Sequence, residues 1–220
     1  MSLLSDLGRA IGWLFLALVG CLIFIQAVVR LVKRWVHFPA PPCIAVFLNS
    51  RLRRRIQPPE QVIGPLDLQP GMQVVEIGPG GGAFTVDAAR RVGPAGQVHA
   101  FDIQPAMISR LEAHLRKTGV GNVVAQVASA YELPLPAASM DRAFMVTVLS
   151  EVPDKGRALA EIRRVLKPDG RLAIGELVFD PDYPLRRTVI RWCRDAGFEL
   201  IQATGGLFHY VLVFKPSGGD

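Results

Sequence analysis

Residues 74–83 read Val74-Val75-Glu76-Ile77-Gly78-Pro79-Gly80-Gly81-Gly82-Ala83, and this stretch decides the fold. A short β-branched apolar run stops abruptly in a glycine-rich loop. Glycine lets the chain turn sharply and lets the backbone approach a ligand closely. A helix opening after such a loop offers unpaired N–H groups to a carboxylate or phosphate. Outward from this point, short apolar runs alternate with stretches of helical periodicity, the pattern of βαβ units in a parallel sheet. Strands are expected at 73–77, 97–102, 123–128, 141–147 and 171–178, and helices at 82–92, 105–117, 155–166 and 184–196. Two closing strands, 199–203 and 209–214, are joined by a turn at Gly205-Gly206. The expected fold class is α/β: a Rossmann-like, mostly parallel seven-stranded sheet with an antiparallel strand from the C-terminal hairpin.

The glycine loop alone is compatible with two cofactors. Gly78-x-Gly80-x-x-Ala83 also satisfies the dinucleotide-binding pattern. Asp102 ends the second strand, 22 residues after Gly80, where a carboxylate can accept both hydroxyls of a ribose. A nicotinamide-dependent oxidoreductase therefore stands as an alternative, as does a membrane-tethered binding module without chemistry.

Further motifs are Leu68-Gln69-Pro70-Gly71-Met72, Asp102-Ile103-x-Pro105-x-Met107, Ala130-x-x-Leu133-Pro134 and Leu166-Lys167-Pro168-Asp169-Gly170-Arg171. With the glycine loop and the terminal hairpin, they make residues 62–215 resemble the class I S-adenosylmethionine-dependent methyltransferases. The likeness is greatest to the branch that holds the ubiquinone/menaquinone-biosynthesis enzymes and many lipid and small-molecule methyltransferases. The resemblance implies S-adenosylmethionine as cofactor. It places Glu76, Gly78, Gly80 and Gly82 around the methionine part, Asp102 on the ribose and Ile103 against the adenine. Ser129 and Ala130 would lie beside the adenine's polar edge, and Val146 below the methionine moiety. Relatives carry Gly-Asp-Ala where this chain has Ala128-Ser129-Ala130, so a hydroxyl replaces the usual carboxylate. After the fourth strand Ser150-Glu151 stands where relatives often have a histidine.

Charge and hydropathy add a second module. Half of the 220 residues are hydrophobic, and the net charge is +6. Residues 1–60 hold eight basic and two acidic side chains, which is the whole excess; the remainder is neutral. A nucleic-acid-binding domain would carry its positive charge on the folded part, so nucleic acid is not an expected partner. The 19 residues Ile11–Val29 carry no charge and as a helix span roughly 28 Å, close to the bilayer core. Trp13 and Trp35 fall where interfacial aromatics are expected. The expected organisation is a membrane anchor helix over 1–37, a basic juxtamembrane segment over 38–66 covering the active site, and a catalytic domain over 67–220. Membrane contact is assigned to residues 11–32 and the Arg51–Arg55 cluster. Arg30, Lys33 and Arg34 place the catalytic domain on the cytoplasmic side.

Methyl transfer needs a base only when the acceptor carries a proton at neutral pH. Glu151, Asp182, Tyr183 and His209 are candidates by position. Cys21, Cys43 and Cys193 are far apart and show no zinc-binding spacing, and no metal is expected. With no large insert between the fifth strand and the next helix, a hydrophobic small molecule or lipid is the expected acceptor.

Overall fold

A computed structural model describes Arg9, residues 12–14, 16–18, Gly20, Cys21, Phe24, Val28, residues 55–178, Asp180 and residues 182–218. The chain divides into two compact units, Met1–Phe38 and Pro39–Asp220. In the first, the described residues are helical, and Trp13, Leu14, Leu16, Leu18, Phe24 and Val28 all expose their apolar side chains. Among the described residues no helix is long and apolar enough to cross a membrane. Most of the expected segment 11–32, and Arg51 to Arg54 of the arginine cluster, lie outside the described residues.

The second unit is a seven-stranded sheet in the order β3-β2-β1-β4-β5-β7-β6. Its strands are β1 (Gln73–Ile77), β2 (Gln97–Asp102), β3 (Val123–Val127), β4 (Met140–Val146), β5 (Leu166–Leu177), β6 (Phe198–Gly205) and β7 (His209–Pro216). The helices are α1 (Pro59–Ile63), α2 (Thr85–Val92), α3 (Pro105–Thr118), α4 (Lys155–Val165) and α5 (Arg186–Asp195). Strands β1 to β5 pair in parallel, and β7 enters antiparallel between β5 and β6. The order reverses at β1, because β2 lies on one side of it and β4 on the other. Ligand crevices of α/β sheets open at such a switch point, beyond the C-terminal ends of the strands.

Alternation along the strands sends side chains to two cores. One face buries Val75, Met145, Ile174 and Tyr210 with Leu159 and Ile162 of α4 and Val189 of α5. The other buries Val74, Phe144, Ala173 and Val211 with Val62 of α1 and Ala88 of α2. Helix ends follow local chemistry. Asp154 caps α4 by accepting the Arg157 N–H at 2.9 Å. Pro105 starts α3, and Gly119 ends it in the left-handed region.

Two boundaries differ from expectation by three residues or more. Helix α2 starts at Thr85 and not at Gly82, because Gly78, Gly80 and Gly82 all have positive φ and cannot open a right-handed helix. Strand β5 starts at Leu166 and not at Arg171, because the Lys167-Pro168-Asp169-Gly170 turn is held to β4. Lys167 Nζ lies 2.6 Å from Asp141, whose other oxygen accepts the Gln73 N–H at 2.8 Å. Partial burial would raise the Asp141 pKa, but Lys167 and that backbone bond outweigh it and hold the carboxyl below its ordinary value of 3.8. A depressed carboxyl contributes stability that is present above the ordinary value and lost as pH falls through the folded one. Asp141→Asn should therefore cost about 1–2 kcal/mol at pH 7 in urea unfolding, and the gap from the natural protein should close as pH drops below about 4.

Candidate functional site

At the C-terminal edge of β1 the loop 78–84 is folded into a cradle by three glycines. Gly78 has φ +67, and a Cβ placed on it would collide with Cγ2 of Val148, just past β4. Gly82 has φ +86, and a Cβ there would lie 2.6 Å from Leu111 Cδ1. Both positions therefore need glycine for conformation and for space. Phe101 O accepts the Gly78 N–H at 2.8 Å, which pins the loop to the end of β2.

Beneath the cradle is Glu76, 2% exposed, with Oε2 accepting the Thr85 hydroxyl at 2.5 Å. Asp102 faces the loop from β2. Its Oδ2 accepts the Gly80 N–H at 3.4 Å and its Oδ1 the Gln104 N–H at 2.9 Å. Burial pushes the Asp102 carboxyl above its ordinary value, and the N–H groups of Gln104, Gly80 and Ile103 pull it back. Ile103 is 63% exposed, an apolar side chain left uncovered beside a carboxylate. Asp102 O accepts the Ala128 N–H at 3.1 Å, which brings residues 128–130 to the same rim. Ser129 Oγ accepts the Tyr131 N–H at 3.2 Å, so the serine that replaces a carboxylate is partly engaged by its own turn. Val146 is buried at the end of β4, one residue past the Ile77–Met145 pair, and thus beside Gly78. Thr147, next to it, holds φ 56, a conformation rare for a β-branched residue and typical of sites under functional constraint. Glu76, Gly78, Gly80, Gly82, Asp102, Ile103, Ser129, Ala130 and Val146 thus share one end of the sheet, around the switch point.

The other half of this edge, at β4, β5 and β7, is built differently. Tyr183 donates its hydroxyl to Leu207 O at 2.7 Å and packs on Tyr210 at 5.5 Å between ring centroids. Burial raises its pKa, so it is a hydrogen-bond donor and not a base. His209 buries Nδ1 without a hydrogen-bond partner. Glu151 lies with Asp180 and Asp182, one carboxylate oxygen from each lying within 4.8 Å of the others.

Two residues escaped the sequence reading. Gln57 is fully buried with neither amide atom partnered, and its Nε2 would lie 3.7 Å from a Cβ on Gly175. Nothing in the sequence marks it. Glu176 is fully buried in β5 with both oxygens unpartnered, and burial, then the negative charges of Asp180, Glu151 and Asp182, push its carboxyl well above the ordinary range. Its signal was available: a lone carboxylate inside the apolar run Leu172-Ala173-Ile174-Gly175-Glu176-Leu177. Buried polar groups are paired in the great majority of cases. Gln57 and Glu176 are exceptions to that rule.

Known proteins agree with this architecture. Residues 68–206 match the family model described as a methyltransferase domain. A ubiquinone/menaquinone biosynthesis C-methyltransferase from Vibrio vulnificus is 41% identical over 117 residues, 51% of this chain and 45% of that protein. An arsenite methyltransferase from Halobacterium salinarum is 32% identical over 117 residues, 53% of this chain and 30% of its own. The chain thus spans less than half the length of these curated relatives. A crystal structure of a SAM-dependent methyltransferase from Aquifex aeolicus superposes with a TM-score of 0.75 at 25% identity, covering 80% of this chain and 98% of that one.

Gly78→Ala should lower stability by about 2–3 kcal/mol, since it adds a collision to a left-handed backbone. Gly71 has φ +88 but open space around it. Gly71→Ala should therefore cost only about 1–2 kcal/mol, the conformational part alone. Chemical denaturation of the two variants side by side measures the difference.

Proposed function

The chain belongs to the family of class I S-adenosylmethionine-dependent methyltransferase domains, and on that premise we propose that it transfers a methyl group to a hydrophobic small molecule or lipid at a membrane surface. The observation that carries the cofactor assignment is the cradle itself. A tight glycine loop on β1 faces a ribose-type carboxylate, Asp102, with the uncovered Ile103 beside it. Those residues fit the cofactor: Asp102 would hold the ribose, Ile103 the adenine face, and Glu76 with Gly78, Gly80 and Gly82 the methionine part. Ser129 and Ala130 would border the adenine, and Val146 would floor the site.

When bound, S-adenosylmethionine supplies an electrophilic methyl group on a sulfonium. The chain's own part is to orient, to exclude water and to receive a proton where the acceptor has one to lose. Gly78 and Val148 close the floor between β1 and β4, which keeps water from that side. Gln57, buried beside Val146 and Gly175, brings the segment before α1 to the site and supports the reading that residues 38–66 cover it. Among the base candidates, Tyr183 is committed to Leu207 O, whereas His209 keeps a buried ring nitrogen without a partner.

The membrane part of the proposal rests on the uncharged run Ile11–Val29, the exposed apolar side chains of that helix and the basic residues that follow it. The same asymmetry favours a catalytic domain facing the cytoplasm. An arsenite-type acceptor is disfavoured in the catalytic unit. There Cys193 is fully buried, and burial raises its thiol far above the range in which a thiolate forms.

Calorimetric titration with S-adenosylhomocysteine and with NAD separates methyl transfer from hydride transfer. Binding of the first alone is expected, and Asp102→Ala should weaken it about 10–100-fold through two lost hydroxyl contacts in a shielded site. Deleting residues 1–37 should leave that affinity within about two-fold while sharply reducing turnover of lipophilic acceptors in vesicles. Undiminished turnover by the truncated chain would remove the membrane from the proposal.

A further inference from the structure

Glu151 follows β4, while Asp180 and Asp182 follow β5. Chain topology brings them together at the same end of the sheet, with one carboxylate oxygen from each lying within 4.8 Å of the others. Ligand atoms around one cation with about 2.3–2.6 Å bonds lie at most about 4.6–5.2 Å apart, so oxygens within 4.8 Å of one another fit the coordination shell of a calcium-sized ion. Three carboxylates with no imidazole or thiolate are the donor set of a hard cation.

A second observation is independent of the triad. Glu176 is completely buried, four residues before Asp180, and neither of its oxygens has a hydrogen-bond partner. The negative charges that reach it are those of Asp180, Glu151 and Asp182, so its carboxyl lies beside the same cluster. Lys155 is the positive charge acting on it among the described residues. Its ammonium is engaged by Val152 O at 2.8 Å and lies 5.0 Å from the centre of the Trp192 ring. A buried carboxyl with unused lone pairs behind three converging ones is an acceptor for which the protein supplies no donor.

We propose that Glu151, Asp180 and Asp182, backed by Glu176, form a site for a hard divalent cation at the C-terminal edge of β4 and β5. The donors come from two stretches of sequence, after β4 and at the end of β5, which is why no single spacing announces them. The site lies on the edge that also carries the glycine cradle. A cation there has coordination positions left for oxygens of a ligand, and would orient a methyl acceptor that bears a hydroxyl, carbonyl or phosphate oxygen. That role in orienting an acceptor rests on the methyl-transfer reading; the site itself does not.

The test is titration of the full-length protein in nanodiscs with Mn²⁺, followed by electron paramagnetic resonance of free metal. Ca²⁺ and Mg²⁺ serve as competitors, and S-adenosylhomocysteine binding is measured on the same samples. One saturable site below about 1 mM is expected, displaced by Ca²⁺. The double variant Asp180→Asn/Asp182→Asn should weaken it at least about ten-fold, and so should Glu176→Gln, which a merely acidic surface would not register. Absence of saturable binding by the natural protein overturns the proposal. So does Glu176→Gln binding as the natural protein does, which would reduce the cluster to adventitious surface attraction. Retained S-adenosylhomocysteine binding shows that a variant is folded. Metal binding without S-adenosylhomocysteine binding supports the cation site and refutes the cofactor reading instead.

Discussion

The contact between Gly78 and Val148 sets the rest of the site. A side chain at position 78 has nowhere to go, so the loop after β1 can lie directly against the turn after β4. That close approach is possible only because β1 and β4 are parallel neighbours in register, with Ile77 opposite Met145. Once the loop is seated, its N–H groups are spoken for in sequence. Gly78 donates to Phe101 O, and Gly80 points at Asp102. The end of β2, the loop and the start of α2 become one rigid rim, and Thr85 at the head of that helix holds Glu76. A rim whose dihedrals, sterics and hydrogen bonds all demand the same shape is preorganised before any ligand arrives.

Buried polar groups divide the sheet edge into two halves. On the cradle side they are satisfied: Glu76 by Thr85, and Asp102 by backbone N–H groups. On the side of β4, β5 and β7, Gln57, Ser150, Glu176 and His209 each bury polar atoms that no protein group meets. Such atoms carry a desolvation cost of about 1–3 kcal/mol each unless something fills the space. The satisfied half suits a ligand that never changes. The unsatisfied half suits one whose polar groups complete it on arrival.

This division also governs how much was legible in the sequence. Strands β1 and β2 were readable to the residue, because each is a short run with apolar residues closed by a residue that marks its end, Gly78 and Asp102. The hairpin was readable from its turn, although β6 and β7 extend beyond the expected ends because backbone pairing continues into polar residues such as Thr204 and Lys215. The start of α2 was misread, since helical periodicity is visible in a sequence and the sign of φ at three glycines is not. On the cradle side, local motif and site coincide. On the other side they do not. Gln57 belongs to a proline-rich stretch with no pattern, and Glu151, Asp180 and Asp182 are neighbours only through the pairing of β4 with β5.

Glu176 shows what the fold tolerates in order to keep such a residue. Its register partner in β7 is Tyr210, itself fully buried, whose hydroxyl donates to Pro184 O at 2.7 Å and so leaves the glutamate unserved. Six consecutive pairs from Leu172–Phe214 to Leu177–His209 lock β5 to β7, so the strand cannot shift to expose the carboxyl. A one-residue slip would send every side chain of β5 to the opposite face. The antiparallel strand therefore does more than close the sheet. Its register forces a carboxyl into the interior beside the end of β4, and a leucine there would pack without that cost. The fold thus holds Glu176 in place against its own solvation, a cost that the proposed cation site would offset.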